Sequence, residues 1–422
     1  MPASSRPLPD GRQSLRASRR KIYRRRRIIA ALAAVVVLSI AAYLPLTLLA
    51  PLKASAMTTA SYLTPITAAT KLPMPSYGAS AISAIGYSGM LGEGGSTKPL
   101  PMASISKIIS TLVVLQKHPL SVTGSGPNIT FTAADEAYLH TYSAEDGDVY
   151  PIRVGGSLSE RDVITIALVP SANNYARALV DWAFGSEAKF VPVAKAWLKE
   201  NGMTSTTMVE PTGINPENAS TPHDLLILGK LALANPVVAR IVSIKNTTLP
   251  VVGAITNTNL LLGIDGIDGI KTGTLNSAGA SLLFSTKTVV GGREITLIGV
   301  VLDGPTHPVI DAQIRLIVKK AIAGFHLVKL TAAGRSFGSY TTLWGTHAAA
   351  VTASAASVVV WGGTTIAEKS RISPVTLGKK GSAVGSVTFT MTGQSVTVPL
   401  KLSATLADPG AGWRLTHPAQ LF

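Results

Sequence analysis

Ser104-Ile-Ser-Lys107 is the stretch of this chain that most readily does chemistry. Residues three apart on a helix share a face, so Lys107 can reach the Ser104 hydroxyl. A serine needs a base to become a nucleophile, and a neutral lysine can serve. Lysine loses its proton near neutrality only when burial or another cation lowers its pKa, so the pattern calls for a deep site close to a second lysine. A helix N-terminus beneath Ser104 would also favour developing negative charge. The same spacing recurs at Ser18–Lys21 and Ser186–Lys189, so spacing alone does not choose. Ser104 is set apart by the apolar run behind it and by two motifs downstream.

The first of these is Ser171-Ala-Asn173, in P-S-A-N-N between two helical patterns. A loop there can aim both side chains into a cleft, with Ser171 relaying a proton and Asn173 holding a substrate amide. The alternative is that either residue caps the helix that follows. The second is Lys271-Thr-Gly273, the single Lys-Thr-Gly of the chain, expected on an edge strand. Lys271 would supply positive charge for an anionic substrate group, Thr272 a hydrogen bond, and Gly273 room for close backbone approach. The N–H of Thr274, with that of Ser104, would then form an oxyanion hole. The alternative is an ordinary exposed turn.

Taken in order, S-I-S-K, S-A-N and K-T-G resemble the motif set of the penicillin-recognising serine enzymes. The resemblance is closer to the D-alanyl-D-alanine carboxypeptidases of the S11 family. Their S-x-N-D-A is matched by S-A-N-N-Y-A, and their N-P-x-G-L with S-T-x-x-D by E-P-T-G-I-N-P-E-N-A-S-T-P-H-D at 210–224. Their G-x-x-G-I-K-T-G is matched at 266–273 and followed by Ala278-Gly279. The likeness covers about residues 75–330. Departures are Asn174-Tyr175 in place of Asp-Ala and Glu210 in place of Asn.

The resemblance implies that Ser104 attacks the carbonyl between two terminal D-alanines, that Lys107 accepts its proton, and that Ser171 passes a proton to the departing D-alanine. Lys271 and Thr272 would hold the terminal carboxylate, and water would release the acyl group. Peptidoglycan stem peptides are the implied substrate and β-lactams the implied covalent inhibitors. No cofactor is implied, and the seven His show no paired metal-ligand spacing. Two other readings stay open. A class A-like β-lactamase would need a Glu in E-x-x-x-N, but Glu210 and Asn215 are one residue too far apart. A non-catalytic wall-binding protein would have little use for all three motifs.

The elements that must position these residues follow from patterning. A-S-A-I-S-A-I-G at 79–86 reads as a strand. Ile105, Ile108, Ile109, Leu112 and Leu115 give a helix one buried face. Ser159-Glu-Arg-Asp162 announces a second helix, Pro170 interrupts it, and Asn174–Phe184 resumes. Thr221-Pro-His-Asp224 starts another. Two β-prone runs flank V-V-G-G-R as a hairpin, and a helix spans about Val309–Gly324. The fold class expected is α/β: a β-lactamase/transpeptidase-like sandwich, an antiparallel sheet with helices and a helical subdomain, over residues 76–330. Residues 331–422 read as a small all-β domain.

The N-terminus explains much of the charge. Residues 1–27 carry ten Lys or Arg against Asp10, net +9, while the whole chain carries +16. The uncharged stretch 28–50 that follows is long enough to span a bilayer, and Arg before it places residues 1–27 in the cytoplasm and the body outside. A-S-A at 54–56 offers a cleaved signal peptide and secretion as the competitor, although the apolar run is longer than a signal's. Residues 51–75, rich in Thr, Ala, Ser and Pro, read as a linker. The chain has no cysteine, so no disulfide or thiolate site exists. Tyr23 is the one aromatic in the Arg run, which gives no stacking platform, so no nucleic-acid partner is expected.

Overall fold

The computed structural model describes residues 11–62 and 69–422. Helix α1, Gly11–Leu48, runs through the Arg-rich segment and on through the apolar stretch. Among the described residues it is the one unbroken helix long and apolar enough to cross a membrane, and Leu32, Val35, Val36, Val37 and Leu38 in its middle lie exposed.

The body is built on a five-stranded antiparallel sheet in the order 267–275, 279–290, 293–304, 79–84, 92–95. Hairpin register is set by Gly291-Gly292, both at positive φ, as the V-V-G-G-R pattern requires. The second strand, Gly279–Val290, is covered on both faces over most of its length. Leu282 and Phe284 meet Ile310, Ile314 and Ile317 of a long helix, His307–Ala323. Leu283 joins the opposite core with Ile108, Leu225 and Val300. Between the first strand pair and the hairpin come seven helices: α2 (Ser106–Lys117), α3 (Ala133–Ala144), α4 (Glu160–Leu168), α5 (Asn173–Phe184), α6 (Glu187–Glu200), α7 (Pro222–Ala234) and α8 (Pro236–Val242). The His307–Ala323 helix is α9. The sheet is thus sandwiched, with a helical subdomain inserted, as the sequence pattern implies.

Helix starts are locally encoded. Ser159 accepts from the Asp162 N–H, and Thr221 from the Asp224 N–H with Pro222 in the first turn. Helix α2 departs from expectation. Its apolar spacing suggested one buried face, but ten of its residues are buried, Ser106 through Leu115. It is the central helix of the body, and its small polar side chains are hydrogen-bonded inside rather than turned to water.

After α9 the chain turns to strands. A ribbon of Phe325–Thr331 with Ala356–Trp361 leans on the body, where Trp361 Nε1 donates to Ala321 O at 3.0 Å and Tyr87 stacks edge-on against Phe325. A six-stranded sheet follows, with Val387, Phe389, Val398 and Leu400 in its core. Its edge strand brings a correction. Ala56–Thr59, expected within a linker, pairs antiparallel with 338–341. All four of its residues are exposed, so backbone hydrogen bonds hold it, and those leave no hydrophobic signature in the sequence. Two short helices, α10 (Gly410–Thr416) and α11 (Pro418–Leu421), close the fold.

Candidate active site

Ser104 lies in a single 3₁₀ turn, Ala103–Ile105, that leads directly into α2. Ala103 is held at φ 48°, a strained setting for a residue with a side chain. Two glycines make room for this turn. A Cβ on Gly213 would stand 1.8 Å from Ala103 O, and one on Gly273 would stand 2.9 Å from Ala103 Cβ. Gly213 and Gly273 therefore press on the backbone of Ala103 and Ser104 from two sides, which no side chain would permit.

Lys107 is fully buried one turn along. Its Nζ donates to Ser104 Oγ at 2.6 Å and to Asn173 Oδ1 at 3.0 Å, and lies 3.5 Å from Ser171 Oγ. Burial lowers its pKa to about 8 from the usual 10.5, while the carboxylates of Asp148 and Glu210 pull the other way. Burial is the largest cause of the Lys107 depression. Lys271 is likewise held well below the ordinary lysine value, by burial first and by the charge of Lys107 second, so the two buried lysines repel each other as expected of a deep site with a second lysine. Lys271 is the deeper in polar debt, since its one side-chain hydrogen bond is a 3.4 Å contact to Thr272 Oγ1.

Ser171 sits at φ 68° before α5, and neither it nor Asn173 caps that helix: Ala172 is the N-cap and no side-chain cap bond forms. Asn173 accepts from Lys107 and donates to Thr212 Oγ1 at 3.2 Å, leaving one amide hydrogen for a ligand. The Lys271 strand lies at the sheet edge, as expected, with Lys271 opposite Leu283 and Gly273 opposite Ser281. Thr272 Oγ1 pairs closely with Thr258 Oγ1.

A cleft of ≈ 460 Å³ joins these parts, lined by Ser104, Ser171, Asn173, Thr272, Gly273 and Thr274 among others. Lys107 and Lys271 lie beneath its floor. Ser186, by contrast, caps α6 by accepting from the Lys189 N–H, so its Ser-x-x-Lys spacing is a helix start. Ser18 lies in α1, within the basic run and remote in sequence from the body.

Several residues of the site were not singled out as contributors by the motifs. Glu210 is buried, and its carboxylate accepts from the N–H groups of Thr212, Gly213 and Asn215, from Thr212 Oγ1 and from Asn218 Nδ2. Asn218 in turn donates to Ser106 Oγ. Glu210 thus anchors the loop that carries Gly213 and connects to Lys107 through Thr212 and Asn173. Its oxygens are spent on these donors, which leaves no free carboxylate to activate water. Asn174 and Tyr175, the departures from Asp-Ala, hold the segment that follows the cleft-lining residues 145–148: Asn174 exchanges two hydrogen bonds with the Tyr150 backbone, and Tyr175 donates to Pro151 O. Asp146 accepts from Asn276 across the cleft mouth at 3.2 Å. His307, at the start of α9, places Nε2 2.8 Å from Thr274 Oγ1. The sequence hints to Glu210, Asn174 and Tyr175 are their departures from the family pattern, and these need the fold to be read.

The family described as D-alanyl-D-alanine carboxypeptidase matches residues 80–306. A D-alanyl-D-alanine endopeptidase of Escherichia coli (strain K12) is 30% identical over 213 residues, covering 47% of this chain and 62% of that protein. The D-alanyl-D-alanine carboxypeptidase DacC of the same organism is 28% identical over 224 residues, covering 51% of this chain and 54% of that protein. The chain therefore spans between about half and three fifths of these relatives' length. Among solved structures, the Streptomyces K15 DD-transpeptidase aligns with TM-score 0.54 and 23% identity, covering 60% of this chain and 99% of that one. Penicillin binding protein 5 from Haemophilus influenzae aligns with TM-score 0.55 and 18% identity, covering 82% of this chain and 99% of that one. These structures share its fold; the second alignment extends well beyond the share that the first covers.

Proposed function

Because the chain belongs to the D-alanyl-D-alanine carboxypeptidase family, we propose that it removes the terminal D-alanine from peptidoglycan stem peptides through an acyl-enzyme on Ser104. The observation that carries this reading is the 2.6 Å bond from Lys107 Nζ to Ser104 Oγ, made by a lysine whose pKa burial has brought to about 8. A base with that pKa is partly neutral at physiological pH and can take the serine proton.

Ser104 attacks the carbonyl, and the N–H groups of Ser104 and Thr274 receive the oxyanion. The proton moves from Ser104 to Lys107 and on to the departing amine through Ser171, which lies within 3.5 Å of Lys107. The terminal carboxylate is received by Lys271, Thr272 and the Gly273 backbone, while Asn173 offers its remaining amide hydrogen to the peptide. Burial and the charge of Lys107 hold the Lys271 pKa well below the ordinary lysine value, and an arriving carboxylate favours its protonated form. That new charge repels a proton from Lys107, and binding thereby readies the base. β-Lactams enter by the same route and remain as acyl adducts. The saturation of Glu210 speaks against a β-lactamase, and two desolvated lysines are a costly relic for a non-catalytic protein.

The reading includes a retained membrane anchor with the body outside the cytoplasm. Ser55 N donates to Val375 O and Ala56 pairs with Thr341, so cleavage after A-S-A would cut into a formed strand.

Labelled penicillin tests the assignment. The adduct is expected on Ser104, absent in Ser104→Ala and unchanged in Ser186→Ala, with D-alanine released from a D-Ala-D-Ala peptide by the unmodified chain. An adduct on another serine, or rapid turnover of the penicillin, would overturn it.

A further inference from the structure

We propose that the C-terminal sheet is clamped to the outer end of α1 and rests on the outer leaflet, with Trp344, Trp413, Lys379 and Lys380 facing anionic phospholipid. This rests on α1 being a retained anchor.

Four contacts make the clamp. Tyr43 OH donates to Leu415 O at 2.6 Å, Arg414 Nη1 to Ala50 O at 2.6 Å, and Lys53 Nζ to Phe422 O at 3.2 Å, while Ser55 N bonds Val375 O at 3.0 Å. Arg414 is itself fixed by a 2.7 Å ion pair with Asp408. An extended chain covers at most ~3.6 Å per residue, so Ser55 lies within about 25 Å of the end of α1 at Leu48. With Ser55 bonded to the sheet's Val375 loop, and Ala50 and Tyr43 bonded to α10 that follows the sheet, the C-terminal part is thus held at the end of the span rather than swinging on a tether.

The side chains presented there suit a lipid surface. Trp413 of α10 packs against Trp344 at 5.7 Å and stacks on His417 at 5.0 Å, and α10 buries none of its residues. Tryptophan is the side chain that favours the membrane interface. Leu49, Leu343, Leu377 and Phe422 are exposed apolar neighbours in sequence of these contacts. Between the α1 exit and the sheet opens a cavity of ≈ 590 Å³, walled by Ala50, Leu52, Val375, Leu377 and Leu402. Exposed Lys379 and Lys380 follow directly on that wall. Residues 331–422 carry seven Lys or Arg against two acids, a sign complementary to anionic phospholipid headgroups within a Debye length of the surface.

The test uses the full chain in vesicles of anionic phospholipid, with acyl chains brominated near the headgroup or unbrominated. Brominated lipid should quench tryptophan emission. Trp344→Phe with Trp413→Phe should lose most of that quench, and Trp182→Phe should keep it. Lys379→Glu with Lys380→Glu should weaken it in anionic but not in zwitterionic vesicles. Resistance to carbonate extraction reads the anchor separately. Extraction of the protein would sink the anchor, and the docking with it. Retention with no quench, or with a quench that survives the double Trp variant, would sink the docking alone. So would retention on purified peptidoglycan that depends on Lys379 and Lys380 in the absence of quenching, because the partner would then be wall polymer.

Discussion

The catalytic body and the C-terminal sheet bury opposite things. Within the body, Lys107, Lys271, Asn173, Asn174, Glu210 and Asn218 are all buried, most of them around one cleft. From Phe325 onward the buried polar residues are Thr331, Thr342 and Thr352, and no charged side chain is among them. A buried charge costs several kcal/mol before its partners repay it, so a fold keeps one only where something requires it. The sheet packs apolar side chains inside and keeps its lysines in water. On the two proposals above, the sheet works through its surface and the body through its interior.

Removing a buried charge strains this contrast most. Lys271→Ala should cut kcat/KM for D-alanine release by roughly thirty- to several-thousand-fold, because losing the charged partner of a desolvated carboxylate costs about 2–5 kcal/mol. Lys271→Arg should retain more, since charge survives although geometry shifts. A pH signature accompanies this. Lys271 has a depressed pKa in the free cleft and a higher one with carboxylate bound, so binding takes up a proton. KM should rise as pH climbs above the free-cleft value, and Lys271→Ala should flatten that rise. Wild-type kcat/KM in a folded Lys271→Ala protein, with folding checked by circular dichroism, would remove the substrate anchor from the reading.

Glu210→Gln probes the same interior with a smaller effect. The amide would turn an NH₂ toward donors that now share five contacts with the carboxylate, and each donor stranded in the interior costs roughly 1–3 kcal/mol. The urea midpoint should fall. At the same time a charge that raises the Lys107 pKa disappears. With neutral Lys107 as the proposed base, acylation by penicillin should rise with pH through about 8 in the parent chain, and that limb should move to lower pH in the variant. An unmoved limb would mean that Glu210 acts on the loop alone.

How much of this was legible beforehand differs between the same two regions. In the body, the sandwich, the helix starts at Ser159 and Thr221 and the Gly291-Gly292 hairpin are local signals, and the structure has them. The cleft brings Ser104, Lys107, Ser171, Asn173 and the Lys271 strand together across 168 positions of sequence, from 104 to 271, which three short motifs in order announced. Glu210 was visible only as a departure from a pattern, because its partners are backbone N–H groups, and these carry no sequence identity. Asn174 and Tyr175 were departures too, and their reason lies in the Pro151 and Tyr150 carbonyls they bond. Around the sheet, the strand Ala56–Thr59 went unread because an exposed edge strand of Ala, Met and Thr has no alternation to show.

The smallest effect is expected from removing the sheet altogether. A chain of residues 69–324 retains every residue that lines the cleft, since the last of them is His307. It ends before the 325–331 strand, whose partner 356–361 would otherwise leave it an unpaired edge. The Streptomyces K15 chain offers a precedent for the fold: 99% of it is matched by 60% of this one. Stability should still fall. Val359 of the 356–361 strand is fully buried in the core shared with α9, and Trp361 Nε1 bonds Ala321 O. Losing the burial of one such valine costs roughly 1.5–3 kcal/mol. Penicillin acylation, by contrast, should stay within about threefold of the full chain, a difference under 1 kcal/mol in the barrier. Thermal melting and the second-order acylation rate, measured on the same preparation, separate the two. If the shortened chain melts cooperatively but no longer acylates, the sheet reaches into the site through α9, and the division between a working interior and a working surface fails.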